Sequence, residues 1–139
     1  MKALITAGGH GTRLRPITHT QNKHLIPIAN KLMLAYALDY AKEAGIDEAG
    51  IIINGGDTSI EKAFGAGEDF GLKITYIEQS APLGLAHVVK TAETFIGSDP
   101  FVFYLGDNIL VGGIKKFIDD FNSHGSNCHL VLSQVPDPN

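Results

Sequence analysis

Residues 2–16, KALITAGGHGTRLRP, run from an apolar stretch into glycines and then into arginines. KALITA is a short apolar run bounded by Gly8-Gly9, the pattern of a buried strand. Gly8, Gly9 and Gly11 let the backbone that follows approach an anion closely and take positive φ where a turn needs it. Thr12 adds a hydroxyl, and Arg13 adds a permanently charged fork that matches phosphate oxygens. The segment is not a P-loop, because no Gly-Lys-Ser/Thr closes it. Leu14 stands at the third glycine of the dinucleotide fingerprint, so it is not that motif either. A strand delivering a glycine-rich turn is the opening unit of an α/β sheet.

The rest of the chain repeats that alternation. Asn30 reads as the cap of a helix over about 31–44, ended by Gly45. AGIIIN (49–54) is a β-branched strand, and Asp57 then caps a helix reaching about Phe64. LKITYI (72–77) alternates as a third strand. Pro82 and Gly84 introduce a helix through about Thr94. PFVFYL (100–105) is a fourth strand ending at Gly106-Asp107. A helix over about 114–122 leads to NCHLVLSQV, expected to be the last strand. Such alternation predicts a Rossmann-like, doubly wound, mostly parallel sheet with helices on both faces. The 139 residues suit one domain, and VPDPN follows the last strand abruptly, so that domain is expected to be truncated.

Net charge is −4, which argues against a general nucleic-acid surface. No apolar run approaches the roughly 20 residues of a membrane span, and the N-terminus is a strand rather than a secretory signal. Charge is segregated along the chain. All 15 acids lie at Asp39 or later, whereas residues 1–38 carry Lys2, Arg13, Arg15, Lys23 and Lys31. A cationic, glycine-rich segment within an acidic protein points to a phosphate site; chance clustering on a solvated face is the alternative. Cys128, the single cysteine, is expected to be a small buried side chain in a reduced cytosol, which makes the protein cytoplasmic.

Two later stretches carry chemistry. Gln79 offers an amide with donor and acceptor side by side, suited to the edge of a uracil or thymine ring, and Gly84 keeps the wall beside it flat. Gln79 also reads as a loop residue before a helix. Asp107 ends an apolar strand, where open α/β sheets bind their ligands, and a carboxylate there can hold Mg²⁺ against phosphates. It also reads as a turn cap. The six histidines show no tight metal spacing, and His10, His19 and His24 are expected to decorate loops. No Ser-His-Asp or Cys-His arrangement stands out.

GGHGTRLRPIT, followed by Lys23, Pro27, Lys31 and Met33, resembles the N-terminal signature of the sugar-1-phosphate nucleotidylyltransferases. Gln79, Pro82, Gly84, Leu85 and Ala86 resemble a second family segment, and YLGDNI (104–109) a third. ITHTQNKHLIPIANK, PLGLAHVVK and YLGDNILVGGI look most like the longer class of glucose-1-phosphate thymidylyltransferases, whose members carry a further C-terminal β-helix. The resemblance runs from Met1 to Asn139. Leu32 departs from it where the family has Pro, and Thr6 where it has Leu.

The resemblance implies nucleotidyl transfer from dTTP or UTP to a sugar 1-phosphate, with glucose 1-phosphate expected. It implies that Gly8, Gly9, Gly11, Thr12 and Arg13 hold the triphosphate and that Lys23 contacts the α-phosphate. Gln79 and Gly84 would read the base, and Asp107 would ligate Mg²⁺. Residues 1–139 would form the N-terminal nucleotide-binding part, with the second half of the domain and any β-helix absent. The alternative is a nucleotide-binding module without turnover, or one chain of a split enzyme. Either way a homo-oligomer or a complementary chain is expected.

Overall fold

A computed structural model of the chain describes residues 1–8, 22–81 and 83–133. Strand β1 (Lys2–Thr6) is flanked by β4 (Glu48–Asn54) on one side and β6 (Phe101–Leu105) on the other. Strand β5 (Lys73–Gln79) lies outside β4, so the sheet order is β5-β4-β1-β6 with every pairing parallel. A two-residue hairpin of β2 (Pro27–Ile28) and β3 (Lys31–Leu32) stands apart from it. The doubly wound, parallel expectation is therefore met.

The pleat divides the core. Ala3, Ile5, Ile51 and Ile53 face one side, where they pack with Leu34 and Leu38 of α1 (Met33–Glu43). Ile60 and Phe64 of α2 (Ser59–Phe64) and Ile118 of α5 (Lys115–His124) join the same cluster. Leu4 and Ile52 face the other side, against Val88 of α3 (Leu85–Thr91) and Ile96 of α4 (Glu93–Ile96). Because successive side chains point to opposite faces, the uninterrupted Ile51-Ile52-Ile53 run is what a strand buried on both faces requires.

Several local expectations are corrected. Asn30 is not a helix cap. Ala29 and Asn30 take φ of 49° and 65° and turn the β2–β3 hairpin, since Asn tolerates the left-handed region when a two-residue turn demands it. Helix α1 starts later, at Met33, with no side-chain cap at Leu32. The 84–94 helix is interrupted at Ala92, giving α3 and α4. Residues 128–133 form no strand, and Leu130 and Leu132 are 75% and 87% exposed. No described strand pairs with this segment, so its backbone joins no ladder. Cys128, on the same segment, is exposed rather than buried for the same reason.

Candidate functional site

Strands β1, β4 and β5 step one way across the sheet, and β6 returns to the other side of β1. That reversal is a topological switch point, and the crevice lies beyond the carboxyl ends of the strands there. Ala7-Gly8 follow β1, Asn54 and Gln79 end β4 and β5, and Gly106-Asp107 follow β6. Gly8 sits close to Asn54: a Cβ on it would lie 3.1 Å from the Asn54 Oδ1. Gly106 donates its N–H to the Thr6 carbonyl at 3.0 Å. A methyl group on Gly106 would collide with that same oxygen and approach Leu34 and His24, so β6 can turn off the sheet here only as glycine.

Lys23 and Asp107, 84 residues apart, meet in this crevice. Lys23 Nζ lies 2.5 Å from Asp107 Oδ2. Partial burial draws the Asp107 carboxyl upward, but the hydrogen bond and charge of Lys23 outweigh it and hold the group below its usual range. Lys23 is presented by a single 3-10 turn, Lys23–Leu25, capped by the Asn22 side chain, whose Oδ1 accepts from the His24 N–H.

The same Asn22 ties three elements together. Its Nδ2 donates to the Ala7 carbonyl at 3.3 Å and to Asp57 Oδ2 at 2.9 Å, and its Oδ1 lies 2.9 Å from His24 Nδ1. Asp57 in turn accepts from the Ser59 N–H and hydroxyl at the start of α2, although the N-cap position itself is Thr58 rather than Asp57 as expected. His24 is 1% exposed, which corrects its reading as loop decoration. Burial lowers its pKa to about 4, with the Lys23 charge pushing the same way and Asp107 and Asp57 opposing, so the ring is held neutral. With Asn22 Oδ1 as acceptor, the ring hydrogen sits on Nδ1. Nothing in the local sequence NKH marks this network; its partners lie 15 and 35 residues away.

Gln79 is buried at the end of β5, with its Nε2 at 2.9 Å from His87 Nδ1 on α3. Gly84 begins α3 with φ 94°, and no atom lies within 4 Å of where its side chain would be. Three inter-strand steps of about 4.8 Å separate the β5 and β6 ends, so Gln79 and Asp107 lie roughly 14 Å apart across the sheet. Of the sequence-predicted site, Lys23 and Asp107 are brought together, Gln79 and Gly84 flank α3, and Gly8 lies between the two groups. Gly9, Gly11, Thr12 and Arg13 lie outside the described residues, as do His10 and His19. Sequence reasoning missed Asn22, Asp57 and His87 as partners.

The profile of the nucleotidyl transferase family matches residues 2–139. The chain belongs to the nucleotidyl transferase family. A glucose-1-phosphate thymidylyltransferase of Streptomyces griseus is 49% identical over 138 residues, covering 99% of this chain and 39% of that protein. This nucleotidyl transferase chain thus spans about two fifths of the length of that relative. Among solved structures, a candidate glucose-1-phosphate thymidylyltransferase from Bacillus anthracis, in complex with sucrose, superposes with a TM-score of 0.83 at 36% identity. The match covers 88% of this chain and 50% of that one. A UDP-glucose pyrophosphorylase solved with UDP-glucose superposes with a TM-score of 0.72 at 27% identity, over 89% of this chain and 54% of the other. Among the described residues, no helix is long and apolar enough to cross a membrane.

Proposed function

We propose that residues 1–139 are the nucleotide-binding part of an enzyme that transfers a nucleotidyl group from dTTP, or UTP, to a sugar 1-phosphate. Glucose 1-phosphate is the acceptor the relatives' names favour. The observation that carries the reading is the Lys23–Asp107 pair at the switch point, with Gln79 across the sheet from it. In the reaction a sugar-phosphate oxygen bonds to the α-phosphorus as the bond to pyrophosphate breaks, so positioning and charge neutralisation are what the protein must provide. Arg13, with the amides of Gly8, Gly9, Gly11 and Thr12, would hold the triphosphate and offset charge on departing pyrophosphate. Lys23 would leave Asp107 for the α-phosphate as the nucleotide arrives. Gln79 and Gly84 would contact the base. Substrates of this kind place the chain in the cytoplasm.

Nucleotidyl transferases of this family generally use a divalent metal, and Mg²⁺ is the ion proposed here. The donor set suits it: one partly exposed carboxylate, with no cluster of three acidic, His or Cys ligands among the described residues. Mg²⁺ binds through one or two carboxylates, water and substrate phosphates rather than through an all-protein cage. Asp107 would hold the ion, which would supply charge neutralisation for the phosphates.

Calorimetric titration with dTTP, UTP, ATP and GTP, alongside a pyrophosphate-release assay with glucose 1-phosphate, tests the reading. Pyrimidine triphosphates are expected to bind more tightly; tighter GTP binding contradicts it. Binding without pyrophosphate release favours the module that does not turn over by itself. Arg13→Ala should weaken dTTP more than dTMP, by about tenfold to a hundredfold for a lost charge-assisted bond. Equal losses would remove Arg13 from the distal phosphates.

A further inference from the structure

The Gln79 amide at the end of β5 reads two ways. Oxygen and nitrogen can exchange places by a half-turn of the terminal torsion with almost no change of shape. Which atom faces the ligand is therefore decided by whatever holds the other side. Here that neighbour is His87, on the first turn of α3, with its Nδ1 2.9 Å from Gln79 Nε2. Gln79 is only 8% exposed, so water is a poor substitute partner. His87 is itself anchored, since its carbonyl accepts from the Thr91 hydroxyl at 2.8 Å one helical turn on.

With Nε2 turned to the ring, Nδ1 accepts and the ring hydrogen sits on the other nitrogen; the opposite tautomer would hold the flipped amide. One amide hydrogen is used. What remains is one N–H and an oxygen with both lone pairs free, in a fixed order. The pyrimidine edges differ in the matching order. Uracil and thymine present N3–H as a donor between two carbonyls, whereas cytosine presents a bare N3 acceptor beside an amino donor. An amide held with its oxygen at N3 accepts from thymine or uracil and sets lone pair against lone pair with cytosine. The flipped amide does the reverse.

We infer that His87, by accepting from Gln79, fixes the amide in the orientation that selects uracil and thymine against cytosine. This makes His87 a positioning residue for base specificity, and the inference rests on the reading of Gln79 as the base contact.

The test is calorimetric titration of the whole 139-residue chain with magnesium dTTP and dCTP. Three variants are compared with the wild type: His87→Glu, which can only accept when ionised, His87→Lys, which can only donate, and His87→Ala. Glu and Lys are both good helix formers, so α3 is retained. Wild type and His87→Glu are expected to keep a preference for dTTP. His87→Lys should draw the Gln79 oxygen towards itself and cut the dTTP:dCTP ratio by about tenfold or more, the size of a mismatched base contact. His87→Ala should bring the ratio towards one, and it supplies the answer should the lysine variant not fold. A merely structural role would weaken both nucleotides alike, so an unchanged ratio in the lysine and alanine variants overturns the inference about His87. A wild-type chain with no preference for dTTP over dCTP overturns the reading of Gln79 itself, and this one with it.

Discussion

The lysines of the N-terminal segment do not form a free cationic face. Lys2 pairs with Asp99 at 2.9 Å, Lys23 with Asp107, and Lys31 with Asp39, so each described lysine there meets an acid from later in the chain. Charge segregated in sequence is recombined in space, and a phosphate at Lys23 has to compete with a carboxylate. Asp107→Asn should thus strengthen metal-free dTTP binding, by freeing Lys23, while abolishing its Mg²⁺ dependence, as titrations with and without Mg²⁺ would read out. An unchanged Mg²⁺ response would make Asp107 a turn residue only. His24 carries a second residue-level consequence. Its pKa falls from 6.5 to about 4 on folding, so the unfolded chain binds the proton more readily. The neutral ring's contribution is intact above about pH 6.5 and is lost as pH falls towards 4, amounting to about 3 kcal/mol over that window. Urea midpoints at pH 7.5 and pH 4.5 should differ by correspondingly less in His24→Gln, and an equal pH response in both proteins would contradict the assignment.

At the level of elements, the hairpin β2–β3 and the start of α1 show how a single departure from the family pattern is absorbed. Leu32 has φ −61° and ψ 139°, values that proline adopts without strain, and Lys31 before it is extended as a residue preceding proline must be. Leu32 faces Pro27 across the hairpin, and the neighbouring bond runs instead from the Met33 N–H to the Ile26 carbonyl. Leu32→Pro is therefore expected to stabilise the protein by about 0.4–1 kcal/mol, chiefly by restricting the unfolded chain. Leu32 also packs against the core, so a shift of the denaturant midpoint at constant slope measures it, and a loss of stability would mean that this packing or a partner of the Leu32 N–H outweighs the gain. Apart from the expected strand at 128–133, the element types of the main sheet and its helices were legible in sequence because apolar period and β-branching report them directly. Boundaries were less so, as at Asn30, where a turn and a cap favour the same side chain.

Over the whole molecule, the sheet has two outer strands, β5 and β6, and the outer edge of β6 pairs with no described strand. Beyond it in the chain, Val111, Leu130 and Leu132 are strongly exposed. An unpaired strand edge with apolar surface nearby is a template for another chain. The isolated chain is expected to self-associate or to bind a complementary chain, and to show little transferase activity by itself. Light scattering across a range of concentrations, beside the pyrophosphate-release assay, checks this. A monodisperse monomer turning over at an ordinary enzymatic rate would refute it.

Although it stopped the third strand at Ile77, short of Gln79, the amino-acid order by itself determined the fold class and the strand-end position of Asp107. Those follow from local periodicity and from where apolar runs meet glycine, information held within a few residues. It did not determine that 128–133 would stay out of the sheet, since pairing depends on a partner strand that no local pattern describes. Nor did it reveal that Asn22 would bridge Ala7, Asp57 and His24, or that His87 would face Gln79. Those contacts exist because parallel strands carry distant residues to one edge of the sheet, and only the closed tertiary structure decides which side chains meet there.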